Sequence, residues 1–218
     1  MNAREKVINV KRWLSIVLPM VAFSVNVALC PGAEIIDFDA LSAGVQPWDV
    51  LSASGVMFTT GNIPNAISVG SEVTLINVDQ RFEIFANNDA ISPPNFAVAL
   101  GGGLNDLLMS FTTPVISVTV TSDDFIGEPQ DLIRLLALEP TSNPYQFIVL
   151  ALDEGFDNAI SSPDNLLTVD AGGTPFEYAL FQTTTEQEGF DDLTFTPIPE
   201  PVTLLLLGLG GLFLRKRK

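Results

Sequence analysis

Residues 115–122 read Val-Ile-Ser-Val-Thr-Val-Thr-Ser, and this stretch decides the fold class. It alternates with period 2 and is rich in β-branched residues, the pattern of a strand with one buried face. Working outward, Leu107 to Phe111 lies before Pro114 and reads as a separate strand. Leu132 to Leu138 and Tyr145 to Leu152 follow as two apolar runs. Leu132 to Leu138, LIRLLAL, has helical propensity, but its length and neighbours place it with the strands. Further short strands are expected at 34–39, 55–60, 73–78, 82–85, 96–100, 166–170, 176–181 and 193–196. Gly, Pro, Asn and Asp punctuate them, as in Gly61-Asn-Ile-Pro-Asn65, 87–95 and Gly101-Gly102-Gly103. Residues 40–54 read as a polar loop. Ten to twelve short strands, no long helix and no repeat period describe an all-β protein, an antiparallel β-sandwich of jelly-roll type. The fifteen Phe fill its interior rather than a ligand cage.

Charge is divided sharply along the chain. Residues 31–200 hold two bases, Arg81 and Arg134, against twenty-five acids, a net charge of −23. The other eight Lys and Arg lie in the terminal segments. Such a body excludes non-specific nucleic-acid binding, which needs cations against phosphate. It also resists adsorption to an anionic membrane face. It suits an exported, soluble domain and attracts divalent cations.

The chain has one Cys and no His. No intramolecular disulfide can form, so packing must supply the stability. Zinc-finger and two-His-one-carboxylate sites lack their ligands, and Ser-His-Asp or Cys-His catalysis lacks its base. Among enzymes, that leaves chemistry run by carboxylates alone.

Both ends are set apart by composition. Residues 1–12 carry Arg4, Lys6, Lys11 and Arg12, and an apolar run from Trp13 to Leu29 follows: the n-region and h-region of a signal peptide, addressed to the Sec translocon and signal peptidase. Cleavage is expected between Ala28 and Glu34, with Ala33 the better small residue before the cut, so 1–33 is taken as the signal peptide. Val27-Ala28-Leu29-Cys30 misses a lipobox at Leu29, which argues against lipidation of Cys30. At the other end, Pro199-Glu200-Pro201 forbids helix and holds the backbone extended. Val202 to Leu214 is uncharged for thirteen residues, and Arg215, Lys216, Arg217 and Lys218 close the chain. Thirteen helical residues span roughly 20 Å, short of a bilayer core of about 30 Å. The basic cluster stays cytoplasmic. The run is a poor permanent span and a suitable transient one.

Residues 198–218 resemble the PEP-CTERM sorting signal of Gram-negative bacteria that make extracellular polysaccharide: Pro-Glu-Pro, a short Leu/Gly-rich span and a terminal basic cluster, in that order. The resemblance implies recognition by a membrane-embedded exosortase, transient insertion in the inner membrane, removal of the tail, and delivery to the cell surface or extracellular matrix. A second resemblance lies in the body, 34–197. Ile36-Asp37-Phe38-Asp39, Gly55-Val-Met-Phe-Thr59, Ser110 to Val115 and Gly189 to Phe195 are similar to exported jelly-roll domains of the galactose-binding or lectin-like kind. It implies that the first and last strands lie close. It also implies that Asp37, Asp39, Asp191 and Asp192 could hold a structural Ca²⁺, which takes six to eight oxygens. In straight strands Asp191 and Asp192 point to opposite faces, so only one can face inward without a bulge.

Three functions follow as expectations. The first is a non-enzymatic exported surface or matrix protein associated with exopolysaccharide. The second is a carbohydrate-binding module, for which Trp48 is the best single ligand contact, against the stronger reading of Trp48 as a buried loop plug; Tyr145 likewise falls in a loop or at a strand edge. The third is a glycoside hydrolase or lyase using paired carboxylates such as Asp123-Asp124 or Asp153-Glu154. With so many acids such pairs arise by chance, and no catalytic residue is assigned. Gly101-Gly102-Gly103 lacks the Lys or Ser of a phosphate cradle.

Overall fold

The computed structural model describes residues 32–64, 66–86, 95–99, 105–124, 131–157, 165–183 and 188–198. Residues 1–31 of the expected signal peptide with its expected helix, the sorting motif with the short helix expected after it, Gly101-Gly102-Gly103 and most of 87–95 lie outside the described residues. Thirteen strands form one antiparallel sheet. They are β1 Glu34–Ile36, β2 Gly44–Pro47, β3 Val56–Asn62, β4 Glu72–Thr74, β5 Ile76–Asp79, β6 Arg81–Ala86, β7 Asn95–Ala99, β8 Asp106–Asp124, β9 Asp131–Pro140, β10 Gln146–Asp157, β11 Asn165–Asp170, β12 Phe176–Thr183 and β13 Glu188–Pro197.

The sheet curls into a sandwich because β8 serves both layers. Its first half pairs with β3 and β12, from Val56↔Phe111 and Leu180↔Leu108. Its second half pairs with β11 and β13, from Val169↔Val118 and Phe195↔Val118. Pro114 stands at the hand-over. It has no N–H to give a ladder, and its carbonyl accepts the Ile198 N–H at 2.9 Å. The sequence reading broke the chain at this proline into two strands. The structure runs one strand of 19 residues through it, because the partners change there and no ladder bond is lost.

One layer is then β4-β10-β9-β12 with the first half of β8, β3 and β5. The other is β11 with the second half of β8, β13, β7, β6 and β2. β1 pairs with β13 through Glu34↔Phe195 and Ile36↔Leu193, so the first and last strands are neighbours, as the jelly-roll resemblance implies. LIRLLAL is strand, with Ile133 to Leu138 all buried. Two expectations need correction. The loop 40–54 contains β2, which pairs with β6. The stretch 73–78 is two strands, β4 and β5, that pair with β10 and β3 respectively.

Between the layers lies a Phe-rich core. Phe58 packs on Phe82 at 4.8 Å between ring centroids, and Phe190 on Phe181 at 5.2 Å and Phe38 at 5.8 Å. All five are buried. Each contributes about 1.5–3 kcal/mol by leaving water. Gly189 lets β13 close on β7: a Cβ there would lie 2.6 Å from the Ala97 oxygen. A second, smaller core lies on the outer face of the first layer, where Leu108, Leu136, Leu138, Val149 and Leu180 meet Ile63, Val73 and Leu75 from the segment 63–75. That segment covers only part of the face, and the uncovered remainder is the groove described next.

Candidate glycan-binding groove

Successive strand residues point to opposite faces, so the outer face of the first layer is laid out by register. Met57 pairs with Ser110, Ser110 with Tyr178, and Tyr178 with Leu138. Met57, Thr59, Leu108, Ser110 and Tyr178 floor a groove of about 560 Å³. Phe147 supports Tyr178 from β10, with ring centroids 5.1 Å apart.

The walls are two turns, and each carries an aromatic residue outward. Trp48 follows β2; its N–H donates to the Gln80 carbonyl at 3.2 Å, and its carbonyl accepts the Phe58 N–H at 2.9 Å. These bonds fasten one half-buried indole to the groove's edge. The opposite wall is Thr141 to Tyr145, the turn between β9 and β10. Gln146 N–H donates to the Asn143 carbonyl at 3.3 Å, closing a turn with Pro144 and Tyr145 at its centre. Proline suits the first central position. The second, with φ of 57° at Tyr145, is one where glycine is favoured. Asn143 Nδ2 donates to Gln146 Oε1 at 2.5 Å and Asn143 N–H to Thr141 Oγ1 at 3.1 Å, so the turn is braced by its own side chains. The sequence reading began a strand at Tyr145. The structure keeps Tyr145 in the turn, 40% exposed, and starts β10 at Gln146.

Trp48 and Tyr145 are far apart in the chain, yet both line this one groove, together with Tyr178, Gln80, Asn143 and Gln146. Tyr178, Gln80 and Asn143 escaped the sequence reading. Tyr178 sits in an apolar strand where it reads as core, and the two amides lie in turns of ordinary composition. No Asp, Glu, Lys or Arg lines the groove among the described residues. Aromatic faces flanked by amides and hydroxyls can stack on a ring's C–H face and exchange hydrogen bonds with its hydroxyls.

The four aspartates expected to hold Ca²⁺ occupy the segment after β1 and the middle of β13. Asp37 and Asp39 are exposed on either side of buried Phe38. Asp39 Oδ1 accepts the Asn95 N–H at 3.2 Å. β13 carries a bulge between Asp191 and Thr194, with Asp192 in the left-handed region at φ 50°. The bulge frees the pair from strict alternation. Asp191 is fully buried, its Oδ1 accepting the Asp192 N–H at 2.8 Å. Partial burial raises the pKa of Asp192, and the negative charges of Asp37 and Asp39 raise it further. Asp37 and Asp39 therefore lie close enough to act on Asp192. No group of three or more acids is placed to hold a metal ion among the described residues, so these side chains do not by themselves make a calcium shell.

The other carboxylate pairs have structural partners. Asp153 Oδ2 accepts the Thr168 N–H at 2.7 Å, and Glu154 Oε1 accepts Arg134 Nε at 2.7 Å. These two bonds lead in different directions, to β11 and to β9. The side chains of Asp123 and Asp124 lie outside the described set. Sequence reading also missed Asp106, buried at the start of β8. Desolvation raises its pKa to about 7, against the pull of the Ile63 N–H, Gln182, the Thr183 backbone and Arg134. The Ile63 N–H donates to Asp106 Oδ2 at 2.7 Å, and Arg134 Nη1 donates to Gln182 Oε1 at 3.0 Å. Asp106 does not line the groove.

Residues 197–218 match the family model of the PEP-CTERM protein-sorting motif. The chain thus carries a signal that marks an exported protein, transiently anchored in the membrane and sorted through exosortase. No curated protein matches the chain. Among solved structures it is similar to "CpGH89CBM32-6 produced by Clostridium perfringens", at 8% identity and a TM-score of 0.30, over 54% of this chain and 92% of that one. A likeness at that score carries no argument. No helix among the described residues is long and apolar enough to cross a membrane.

Proposed function

We propose that this exported chain is a non-enzymatic cell-surface or matrix protein, retained in extracellular polysaccharide by glycan contact in the groove between Trp48 and Tyr145. The observation that carries this reading is the convergence of Trp48, Tyr145 and Tyr178 on one uncharged groove lined with amides and hydroxyls. Delivery runs through the Sec translocon and signal peptidase, then exosortase at the inner membrane. The non-enzymatic part is supported by the engagement of Asp153 and Glu154 with separate structural partners, and by Asp106 being a buried hydrogen-bond acceptor that does not line the groove. A structural Ca²⁺ at Asp37, Asp39, Asp191 and Asp192 is a secondary proposal, supported by the negative charges that Asp37 and Asp39 bring to bear on Asp192.

Two measurements test the proposal. Protein recovered from the cell surface is applied to a glycan array, with the Trp48→Ala and Tyr145→Ala variants beside it. Saturable binding lost in both variants is expected; binding indifferent to both sinks the groove. Deleting the exosortase should leave the protein in the inner membrane with its tail attached, and unchanged processing would falsify the sorting route. Turnover of the native polysaccharide, abolished by a single Asp→Asn change, would revive the hydrolase or lyase reading.

A further inference from the structure

Resting on the glycan-binding reading, we infer that the groove takes an uncharged sugar chain and rejects acidic ones. Sites for uronate or sulfate groups present cations, above all Arg, whose planar fork meets a carboxylate or sulfate with two hydrogen bonds. The body has two arginines, and both are engaged elsewhere. Arg81 pairs with Asp79 through Nε at 2.8 Å and Nη2 at 2.6 Å. Arg134 bonds Glu154 and Gln182 from within the first layer. Neither lines the groove.

A charge set behind the groove's wall has the wrong sign for an anion. Gln146 Nε2 donates to Glu72 Oε2 at 3.1 Å, which sets a carboxylate directly behind a lining amide. Beyond it stands a body with two bases against twenty-five acids. At physiological salt that field reaches about 8 Å from the surface, enough to oppose an approaching polyanion. An uncharged chain feels none of this. Its hydroxyls both donate and accept, as do the amides of Gln80 and Asn143 and the hydroxyls of Ser110 and Thr141. Trp48 and Tyr145 supply ring faces that need no charge on the ligand.

The test uses the whole chain in mild detergent on an array carrying uncharged chains (dextrans, galactans, mannans and β-glucans) beside uronate and sulfate chains. Parent, Trp48→Ala and Tyr145→Gly are compared at low salt and at 0.5 M NaCl. Binding to one or more uncharged chains is expected, weakened about tenfold or more in each variant and nearly unchanged by salt. Binding to acidic chains alone, lost in the same variants, overturns this inference and leaves the groove reading standing. Binding to neither class, or binding that both variants retain, overturns the groove reading and the inference with it. Tyr145→Gly guards against misfolding, because its side chain is exposed and its backbone conformation favours glycine.

Discussion

The carbonyl of Tyr145 accepts the N–H of Leu75 at 2.8 Å, and this bond ties the turn of one groove wall to the segment that covers the neighbouring hydrophobic face. It holds a bulky residue at φ 57°, where only glycine is free of strain. A large aromatic residue kept there against its own backbone preference is the kind of strain that persists at functional positions.

Tyr145→Gly should therefore separate stability from binding. Relief of about 1 kcal/mol of backbone strain offsets glycine's greater entropy in the unfolded chain. The melting midpoint should be no lower than the parent's, while glycan affinity falls. A marked drop in midpoint would show that the Tyr145 side chain is a packing element.

Asp106 predicts how stability depends on pH. Burial raises the pKa of its carboxyl from 3.8 in the unfolded chain to about 7 in the folded one. Between those values the unfolded chain gives up a proton that the folded one keeps, so rising pH favours unfolding. The contribution is fully present below about pH 4, is lost as pH climbs to about 7, and is flat above. Asp106→Asn keeps an acceptor for the Ile63 N–H and should flatten that part of the curve. Melts from pH 4 to 8 check it; equal slopes in parent and variant would show that Asp106 does not titrate in this range.

Gly189→Ala tests the closure of β13 on β7. The new methyl would stand 2.6 Å from the Ala97 oxygen and 2.7 Å from Val98 Cγ1. Backbone and a fully packed strand must move, a cost of about 1–3 kcal/mol. Denaturant unfolding should show a lower midpoint with an unchanged slope.

Calcium predicts a modest response. A cation beside Asp37, Asp39 and Asp192 would relieve their repulsion, but their side chains do not form a complete ligand shell. A small rise in midpoint is expected with millimolar Ca²⁺, reversed by EDTA and absent in Asp192→Asn. An unchanged midpoint removes calcium from the account.

Fold class and the sorting signal were legible in local sequence. Alternation in 115–122, the β-branched residues and the spacing of turn residues are local properties, and local properties survive without tertiary context. The same holds for Pro199-Glu200-Pro201 and the basic tail, whose order along the chain is enough to match the sorting motif. What the tertiary structure alone decided was partnership. That β8 runs through Pro114 depends on which neighbours flank it. That Asp192 escapes strict alternation depends on a bulge against Thr119 and Thr121. That Trp48, Gln80, Asn143, Tyr145 and Tyr178 share one groove depends on strand register across five strands and on three turns. Such contacts join residues distant in the chain, and register is set by the whole sheet closing on its core, which no single stretch encodes.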